Sequence, residues 1–525
     1  MHVSEPARQP ESYDCVVIGA GHNALVCAAY LARAGKSVLV LEAAGQVGGA
    51  ATTREFAPGF KVSACAHLLH LMPADILNEL GLAKHGLVLA SRNMPTTALR
   101  EGAAPFTIDE RGLSLLSPRD AASYKTYSAQ MRKFAAVLMT ALAGSPPRLG
   151  TNELKDKLSL LRLGWQLRKL GRRDMRELLR MGGMNVYDLL EEHFENAELK
   201  GALGLDATLG TNYGPRTPGT VLTLLYRLAC EGAGRNEMVM AQGGMGAVCE
   251  AIAASARAAG AVIRLNSPVT QIIVESDRAA GVTLADGEQV RARAVVSGAD
   301  PKSTLLGLLG ARHLDTGFVR SVRHLRSRGL AAKLHLALNA LPAFYGVTAQ
   351  QLRGRLLISP SLDYIERAYN HSKYGEYSTE PVLEITMPSI DDAALAPAGR
   401  HVLSAVVQYA PYDLKGGWDA ARQRFIDIAV QRIERFAPGL NAGILACELV
   451  TPADIERDFR ISGGHWHHAE FAFDQFFMVR PVPGAAQYAT PLPGLFLCGA
   501  GSHPGGGVTG LPGRNAARRI IDGTN

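Results

Sequence analysis

Two short apolar segments near the start of the chain enclose a helical pattern. Residues 15–18 and 37–41 are almost wholly apolar, which is typical of strands that are buried on both faces of a parallel sheet. Between them, apolar residues recur at helical spacing over residues 23–34, and Gly35 ends the repeat. The pattern therefore predicts a strand, a helix and a second strand parallel to the first.

The hydrophobic period changes further along the chain. Residues 102–240 have a mainly helical pattern, whereas residues 261–300 alternate between apolar and polar positions around an Asp286-Gly287 turn. Residues 311–480 mix the two patterns. Three later runs are strand-like, namely residues 330–338, 401–412 and 495–498. The chain therefore predicts a return to strands and helices in alternation after a helical segment.

The turn between the first strand and its helix has the sequence G-x-G-x-x-A. Gly19 permits the tight turn, Gly21 lets the backbone approach a pyrophosphate, and Ala24 lets helix and strand pack closely. The helix N-terminus offers free N–H groups to the phosphates. Glu42 ends the second strand, where a carboxylate can bind the adenosine ribose. Together these features predict a dinucleotide-binding unit.

A second glycine turn, with Gly45, Gly48 and Gly49, comes just after Glu42. Its position suggests that the cofactor continues past its pyrophosphate along this loop, which favours FAD over NAD. No other G-x-G-x-x-G follows a strand, so a separate nicotinamide domain is not expected. The flavin of a redox enzyme would then exchange electrons with substrate and acceptor directly.

Residues 499–513 contain seven glycines in fifteen positions. The stretch follows an apolar run and precedes a helical pattern at residues 514–521, as the first glycine turn does. Because glycine weakens both helices and strands, this density needs a structural reason. It predicts a backbone surface against which a flat group lies, rather than a slack tail.

These elements predict an α/β fold. It would contain a Rossmann-type FAD-binding domain assembled from separated segments, and an inserted α+β substrate domain with a mixed sheet and a helical cap. The predicted FAD-binding segments are residues 13–100, 240–310 and 485–525. The predicted substrate-binding segments are residues 101–239 and 311–484.

The composition is that of a globular protein, with 47% hydrophobic and 20% charged residues. The seven cysteines form no C-x-x-C pair, which argues against a disulfide scaffold, a zinc ribbon and a dithiol centre and favours a reducing compartment. The N-terminus lacks a basic region followed by an apolar core, so no secretory signal is expected. We therefore expect a cytoplasmic protein, or one that is peripheral to the inner membrane.

Much of the net charge of +7 is concentrated in residues 155–180, which hold nine basic and three acidic residues. The apolar residues at helical spacing here are Leu154, Leu158, Leu161 and Trp165. A basic amphipathic helix of this kind can lie on an anionic membrane surface. Alternatively, it packs on the protein with a solvated basic face. Nucleic-acid binding is not expected, because no recognised motif or aromatic interleaving accompanies the charge.

Six motifs spread over nearly the whole chain carry a family resemblance. They are "DCVVIGAGHNALVCAAYLARAGKSVLVLE", "VGGAATTREFAPGF", "GGMGAV", "AVVSGADP", "GGHWHHAEFAFDQFFMVRP" and "GLFLCGAGSHPGGGVTGLPGRNAARR". With them the chain resembles the phytoene desaturase-like FAD-dependent oxidoreductases of the amine-oxidase superfamily. Within these it is most similar to the group named pyridine nucleotide-disulfide oxidoreductase domain-containing proteins.

The resemblance implies that two hydrogens are removed from a substrate, often with formation of a C=C bond, and that hydride goes to flavin N5. Disulfide reduction is not supported, because the chain has no C-x-x-C. Ala50 stands where related amine oxidases often carry arginine after the glycine pair. This departure weakens any transfer of amine chemistry.

The resemblance also places the glycine-rich stretch beside the flavin. The residues expected to bind FAD are Gly19, Gly21, Ala24, Glu42, Gly48, Gly49, Val269, Gly499, Gly501, Gly506 and Val508.

Three residues are candidates for catalysis. His503 lies inside the glycine-rich stretch, where it would act as a base near the flavin or bond to backbone and shape the loop. His468 and Glu470 would share a face of an extended segment and could polarise a substrate carbonyl or accept its proton, or else brace the sheet as a pair. No metal site is expected, because a strand would place His467 and His468 on opposite faces.

We expect an FAD-dependent dehydrogenase or desaturase that acts on an apolar or alicyclic small molecule, with oxygen or a quinone as electron acceptor. Two alternatives stay open. One is an isomerase or cyclase that uses reduced FAD without net redox change. The other is a flavin-bound interaction protein that acts at a membrane through residues 155–180.

Overall fold

The computed structural model describes residues 12–108, 113, 116–148, 150–234 and 237–523. The strands are β1 (Tyr13–Ile18), β2 (Val38–Leu41), β3 (Thr53–Ala57), β4 (Phe60–Ser63), β5 (Leu89–Ser91), β6 (Thr96–Ala98), β7 (Phe106–Thr107), β8 (Met240–Ala241), β9 (Val262–Arg264), β10 (Val269–Glu275), β11 (Arg278–Leu284), β12 (Gln289–Ser297), β13 (Ala331–Leu338), β14 (Arg355–Ile358), β15 (Val382–Thr386), β16 (His401–Gln408), β17 (Ile444–Val450) and β18 (Leu495–Leu497). The helices are α1 (His22–Arg33), α2 (Ala74–Glu79), α3 (Pro118–Leu142), α4 (Leu154–Lys169), α5 (Gly171–Gly182), α6 (Val186–His193), α7 (Ala197–Thr208), α8 (Thr220–Ala233), α9 (Gly244–Ala258), α10 (Thr316–Arg323), α11 (Ala349–Leu352), α12 (Leu362–Ser372), α13 (Trp418–Glu434), α14 (Pro452–Phe459) and α15 (Leu511–Ile521).

The first of two seven-stranded sheets is built by strands from distant parts of the chain. Strands β9, β2, β1, β12 and β18 lie parallel in that order, and β10 and β11 continue from β12 as antiparallel strands. In β1, Cys15 and Val17 face one apolar core, while Val16 and Ile18 face another. The sheet is therefore covered on both faces, which explains the continuous apolar runs of its strands.

Helix α1 packs against β1 and β2 and also contacts α9 and α15. The approach of α15 is close because Gly513 has no side chain. A Cβ at Gly513 would lie 2.0 Å from the carbonyl oxygen of Asn23 in α1. These contacts fix the N-terminus of α1 at the carboxyl end of β1, where the first glycine turn lies.

The second seven-stranded sheet has the order β17-β13-β16-β15-β14-β6-β7. This sheet is mixed, since β14 and β6 are parallel while all other neighbouring strands in the sheet are antiparallel. Strand β6 lies within residues 13–100, which the sequence assigned to the FAD-binding domain, yet it hydrogen-bonds to β14 in this second sheet. Pairing with a distant strand leaves no local signature in the sequence. The domain boundaries stay a prediction.

Helices α3 to α8 form a layer in which α3 and α7 pack on α8, and α12 packs on α7. This agrees with the helical period predicted over residues 102–240. No helix in the part of the chain that the structure describes is both long and apolar enough to cross a membrane.

Candidate functional site

A cavity of about 980 Å³ connects the first glycine turn with the second sheet. Ile18 lines it from β1 of the first sheet, Gly21 from the turn that follows, Thr223 from α8, and Glu384 from β15. Both sheets and the helical layer therefore contribute to one cavity. Its size and mixed lining are those of a cofactor and substrate site.

Ten of the eleven residues predicted to bind FAD line this cavity. They are Gly19, Gly21, Ala24, Glu42, Gly48, Gly49, Val269, Gly499, Gly506 and Val508. Gly501 lies outside the lining, where an added Cβ would be 2.5 Å from Pro301 Cδ. Its lack of a side chain thus serves a contact within the protein.

The first two glycine turns form a cradle that fits a dinucleotide. Gly48 donates its N–H to the carbonyl oxygen of Ala20 at 2.9 Å, so the turns lie side by side. A Cβ at Gly19 or Gly21 would meet no atom within 4 Å, which leaves open space in front of the N-terminus of α1. The free N–H groups of that first helical turn can bind a pyrophosphate there.

Glu42 holds this cradle together. Its Oε2 accepts a hydrogen bond from the Ala20 N–H at 2.6 Å, and its Oε1 accepts one from the Ala44 N–H at 2.8 Å. A carboxylate has about four lone-pair sites, so Glu42 can also accept hydrogen bonds from a ribose. The glycine cradle, the helix N-terminus and this carboxylate together fit the adenosine diphosphate half of FAD.

The segment at residues 463–477 is not extended. It contains turns and a short 3-10 helix but no strand, and His468 has a φ of +61°. His467 and His468 both line the cavity. The prediction that they lie on opposite faces is therefore wrong, because it assumed a regular strand.

The side chain of Arg480 holds this irregular segment in place. The side chain is fully buried, and its guanidinium donates to the carbonyl oxygens of His467 and Glu470 at 2.9 Å. It also donates to the carbonyl oxygen of Ala500 at 3.0 Å. One guanidinium thus ties the histidine segment to the glycine-rich stretch.

Of the three predicted catalytic residues, only His468 lines the cavity. Its Nδ1 is buried and has no hydrogen-bond partner among the described residues. Burial lowers the pKa of His468 to about 4, and the positive charge of Arg480 acts in the same direction, although Asp300 opposes them. His468 is therefore a neutral imidazole at pH 7.

Glu470 and His503 lie outside the cavity lining. Glu470 accepts a hydrogen bond from Arg326 Nε at 2.9 Å. It is therefore paired with this arginine, whereas one of the two sequence-based alternatives paired it with His468. His503 is fully buried and its ring packs against Phe477, with the ring centroids 5.5 Å apart. A catalytic role for these two residues finds no support in the geometry.

A buried row of polar side chains at the cavity was not among the predicted site residues. Nζ of Lys333 lies 2.7 Å from Nδ1 of His67, and Nε2 of His67 lies 3.1 Å from Oε1 of Glu384. His67 and Glu384 line the cavity, whereas Lys333 is fully buried behind them in β13. A lysine within the apolar run at residues 330–338 was the signal that could have indicated a buried charge with a partner.

Burial shifts the pKa values of the side chains in this polar row. It lowers the pKa of Lys333 to about 7, with Glu384 opposing the shift, and it lowers the pKa of His67. Burial alone would raise the pKa of Glu384, but the guanidinium of Arg355 beside it holds that pKa well below its usual range. The carboxylate is therefore charged, while the lysine can exchange a proton near neutral pH.

Three further polar side chains line the same cavity, namely His70, Asp206 and Arg227. Both ring nitrogens of His70 are buried without a hydrogen-bond partner among the described residues. Across the described ranges, no group of three His, Cys, Asp or Glu side chains is placed to hold a metal ion.

The chain is similar to known proteins over nearly its whole length. The model of the family described as flavin containing amine oxidoreductase matches residues 25–521. A mouse protein named pyridine nucleotide-disulfide oxidoreductase domain-containing protein 2 is 36% identical, over 98% of this chain and 94% of its own. One of the limonene dehydrogenase subunits of Castellaniella defragrans is 26% identical, over 97% of this chain and 94% of its own.

A solved structure of a putrescine oxidase triple mutant has the same fold, with a TM-score of 0.64 at 15% identity over 98% of both chains. The family match and the mouse relative confirm the resemblance inferred from the six motifs. The chain belongs to the flavin-containing amine oxidoreductase family and is an FAD-dependent oxidoreductase.

Proposed function

We propose that the protein is a dehydrogenase or desaturase that removes two hydrogens from an apolar or alicyclic small molecule and forms a C=C bond. Oxygen or a quinone is the proposed electron acceptor. When bound, FAD supplies the hydride acceptor, flavin N5. The observation that carries the proposal is that a buried lysine, Lys333, reaches the FAD-binding cavity through His67.

The apolar walls of the cavity support the proposed substrate class. Its apolar lining includes Leu68, Leu71, Leu209, Val406 and Phe471. Such walls favour a substrate that leaves water with most of its surface apolar. The relative named as part of a limonene dehydrogenase supports an alicyclic hydrocarbon or a simple oxygenated derivative.

The proton that leaves the substrate needs an acceptor at the wall of the cavity. Nε2 of His67 lies 3.1 Å from Oε1 of Glu384 but makes no aligned hydrogen bond among the described residues. In the tautomer with hydrogen on Nδ1 this nitrogen carries no proton, and it is the proposed proton acceptor. Protonated His67 then releases its Nδ1 proton to the neutral Nζ of Lys333, 2.7 Å away. The C–H bonds of the substrate thus yield one hydride and one proton, and the proton ends on Lys333.

This route predicts a pH dependence with a defined sign. Lys333 accepts a proton only when it is neutral, and burial lowers its pKa to about 7. The rate of substrate oxidation should therefore be low at acid pH and rise as the pH increases through about 7. Charged Glu384 stabilises the protonated histidine during transfer.

The test is anaerobic mixing of the FAD-bound protein with a panel of alicyclic hydrocarbons, alcohols and ketones, while flavin absorbance is followed. We expect at least one compound to bleach the flavin. Lys333→Met should retain FAD but bleach about 100- to 10,000-fold more slowly, and it should lose the rise in rate near neutral pH. Lys373→Met is the matched control, because Lys373 is an exposed residue paired with Glu366.

Bleaching of the Lys333→Met protein at the wild-type rate would refute the proton route but leave the redox proposal standing. If compounds in the panel are converted while the flavin stays at constant absorbance, the chemistry is an isomerisation or cyclisation without net redox change. If no compound is converted and none bleaches the flavin, the proposed substrate class is wrong.

A further inference from the structure

Helix α4 has two apolar faces, only one of which is packed on the protein. Asp156 is buried on the packed face and accepts a hydrogen bond from Gln487 Nε2 at 2.9 Å. Leu167 lies near the C-terminal end of the same face of α4 and packs against the main apolar core. The helix is therefore attached to the protein through this side.

The second apolar face points into solvent. Its residues, at positions i, i+4, i+7 and i+11, are Leu154, Leu158, Leu161 and Trp165, with exposed fractions of 71%, 55%, 69% and 55%. This spacing places all four side chains in one row along the helix. Single exposed apolar residues are ordinary on protein surfaces, but a continuous row marks a surface that binds something. We call this row the apolar stripe.

Basic side chains flank the apolar stripe on both sides. By helical spacing, Lys157 and Arg168 lie along one edge, and Lys155 and Arg162 lie along the other. Lys155 pairs with Asp522 at 2.6 Å, whereas the other three form no ion pair with a described acidic residue. The edges of the stripe thus carry unneutralised positive charge.

Helix α5 continues the basic surface. Gly171, with a φ of +82°, joins it to α4, and Arg172, Arg173 and Arg176 are exposed without an ion pair to a described acidic residue. Leu179 adds a fifth apolar side chain, 68% exposed. By contrast, the next arginine along the helix is already paired with two glutamates.

We propose that the apolar stripe and its basic edges bind the surface of an anionic phospholipid membrane. An apolar row between two rows of cations matches the layering of a bilayer surface, with acyl chains beneath negatively charged headgroups. A second copy of the same surface would bring like charges together. A nucleic acid would pair with the cations but leave the exposed leucines in water. The surface therefore fits a lipid layer better than either of these partners.

Trp165 provides a direct probe of this binding. Its ring is half exposed, whereas Trp418 is buried at 6% and Trp466 lies on the wall of the cavity. Nζ of Lys169 lies 3.4 Å from the centroid of the Trp165 ring, so the aromatic and a cation occupy the same patch. Entry of Trp165 into a lipid interface should shift tryptophan emission to shorter wavelength and expose it to quenching by brominated acyl chains.

The test uses the FAD-bound full chain and vesicles of phosphatidylcholine with or without phosphatidylglycerol. We expect flotation with the anionic vesicles, weaker binding to pure phosphatidylcholine, and loss of binding as salt rises. The stripe variant Leu158→Ser/Leu161→Ser/Trp165→Ser and the charge variant Lys157→Glu/Arg162→Glu/Arg168→Glu should each bind about 100-fold more weakly. Tyr345→Ser/Tyr374→Ser is the matched control, because these aromatics are exposed to 65% and 77% outside the stripe.

Failure of the wild-type protein to bind anionic vesicles at low salt would overturn the proposal, as would equal binding by the stripe variant. If the stripe variant instead changes the oligomeric state in solution without lipid, the surface is an interface between copies. If a nucleic acid binds and vesicles do not, the basic edges alone are functional and the proposal is wrong. None of these measurements needs turnover, so they are independent of the proposed dehydrogenase activity.

Discussion

Gly21 and Gly506 both border the cavity, but they do so for opposite geometric reasons. A Cβ at Gly21 would meet no atom within 4 Å, whereas a Cβ at Gly506 would lie 2.4 Å from Nδ1 of His467. Gly21 therefore preserves space for a ligand, and Gly506 preserves a close contact inside the protein. At the scale of single residues, the same amino acid leaves open space at one position and permits close packing at the other.

This difference predicts that Gly21→Ala separates cofactor binding from folding. Gly21 has a φ of −65°, which alanine adopts without strain, so the apoprotein should keep its stability. The methyl group would occupy the space where the pyrophosphate approaches the backbone. FAD affinity should fall about 5- to 150-fold, which corresponds to an overpacking penalty of about 1–3 kcal/mol.

FAD titration of the apoprotein and urea unfolding measure the two effects. Gly144→Ala is the control, because a Cβ there also meets no atom within 4 Å but the residue lies outside the cavity lining. Unchanged FAD affinity in Gly21→Ala would show that the cofactor does not approach this turn.

At the scale of elements, the close packing of α1 against α15 positions the cradle formed by the first two glycine turns. The last glycine of the glycine-rich stretch, Gly513, allows this crossing and does not line the cavity. The stretch at residues 499–513 therefore has two uses. Gly499 and Gly506 line the cavity, while Gly513 lets two helices touch.

We expect Gly513→Ala to destabilise the fold by about 1–3 kcal/mol, because the methyl group would press on the backbone of α1 and force the helices apart. Gly232→Ala is a matched control in α8, since a Cβ there would meet no atom within 4 Å. That control should be neutral or stabilising by about 0.4–1 kcal/mol. Urea unfolding of both apoproteins gives the comparison, and equal midpoints would contradict the close helix contact.

At the scale of the whole molecule, Arg355 joins parts of the chain that come together only in the fold. It lies in β14, is fully buried, and forms ion pairs with Asp206 of α7 and Glu384 of β15. The helical layer and the second sheet are thus linked beside the cavity. The link also keeps Glu384 charged next to His67.

Arg355→Met should cost about 3–5 kcal/mol at pH 7, because it leaves Glu384 as a buried carboxylate without its main partner. The arginine holds the pKa of Glu384 well below its usual range, so wild-type Glu384 adds stability above the unfolded pKa and loses this contribution only as the pH falls through its low folded pKa. In the variant that pKa rises. The stability difference between the two proteins should therefore grow from pH 4 to pH 7.

Urea unfolding across this pH range measures the effect. Arg353→Met is the control, since the pair of Arg353 with Asp391 is partly exposed and should contribute less than about 1 kcal/mol. A difference between wild type and Arg355→Met that does not vary with pH would contradict the assigned protonation of Glu384.

The sequence by itself determined the cofactor and the local architecture around it. Gly19, Gly21 and Glu42 lie within one strand-helix-strand unit, where short-range sterics and hydrogen bonding leave few alternatives. Only the tertiary structure decided which polar groups come together at the cavity. Lys333 and His67 are 266 positions apart, and the turn at His468 depends on Arg480 binding backbone carbonyls. Such contacts arise from the packing of distant elements and desolvation at their interface, which no local pattern records.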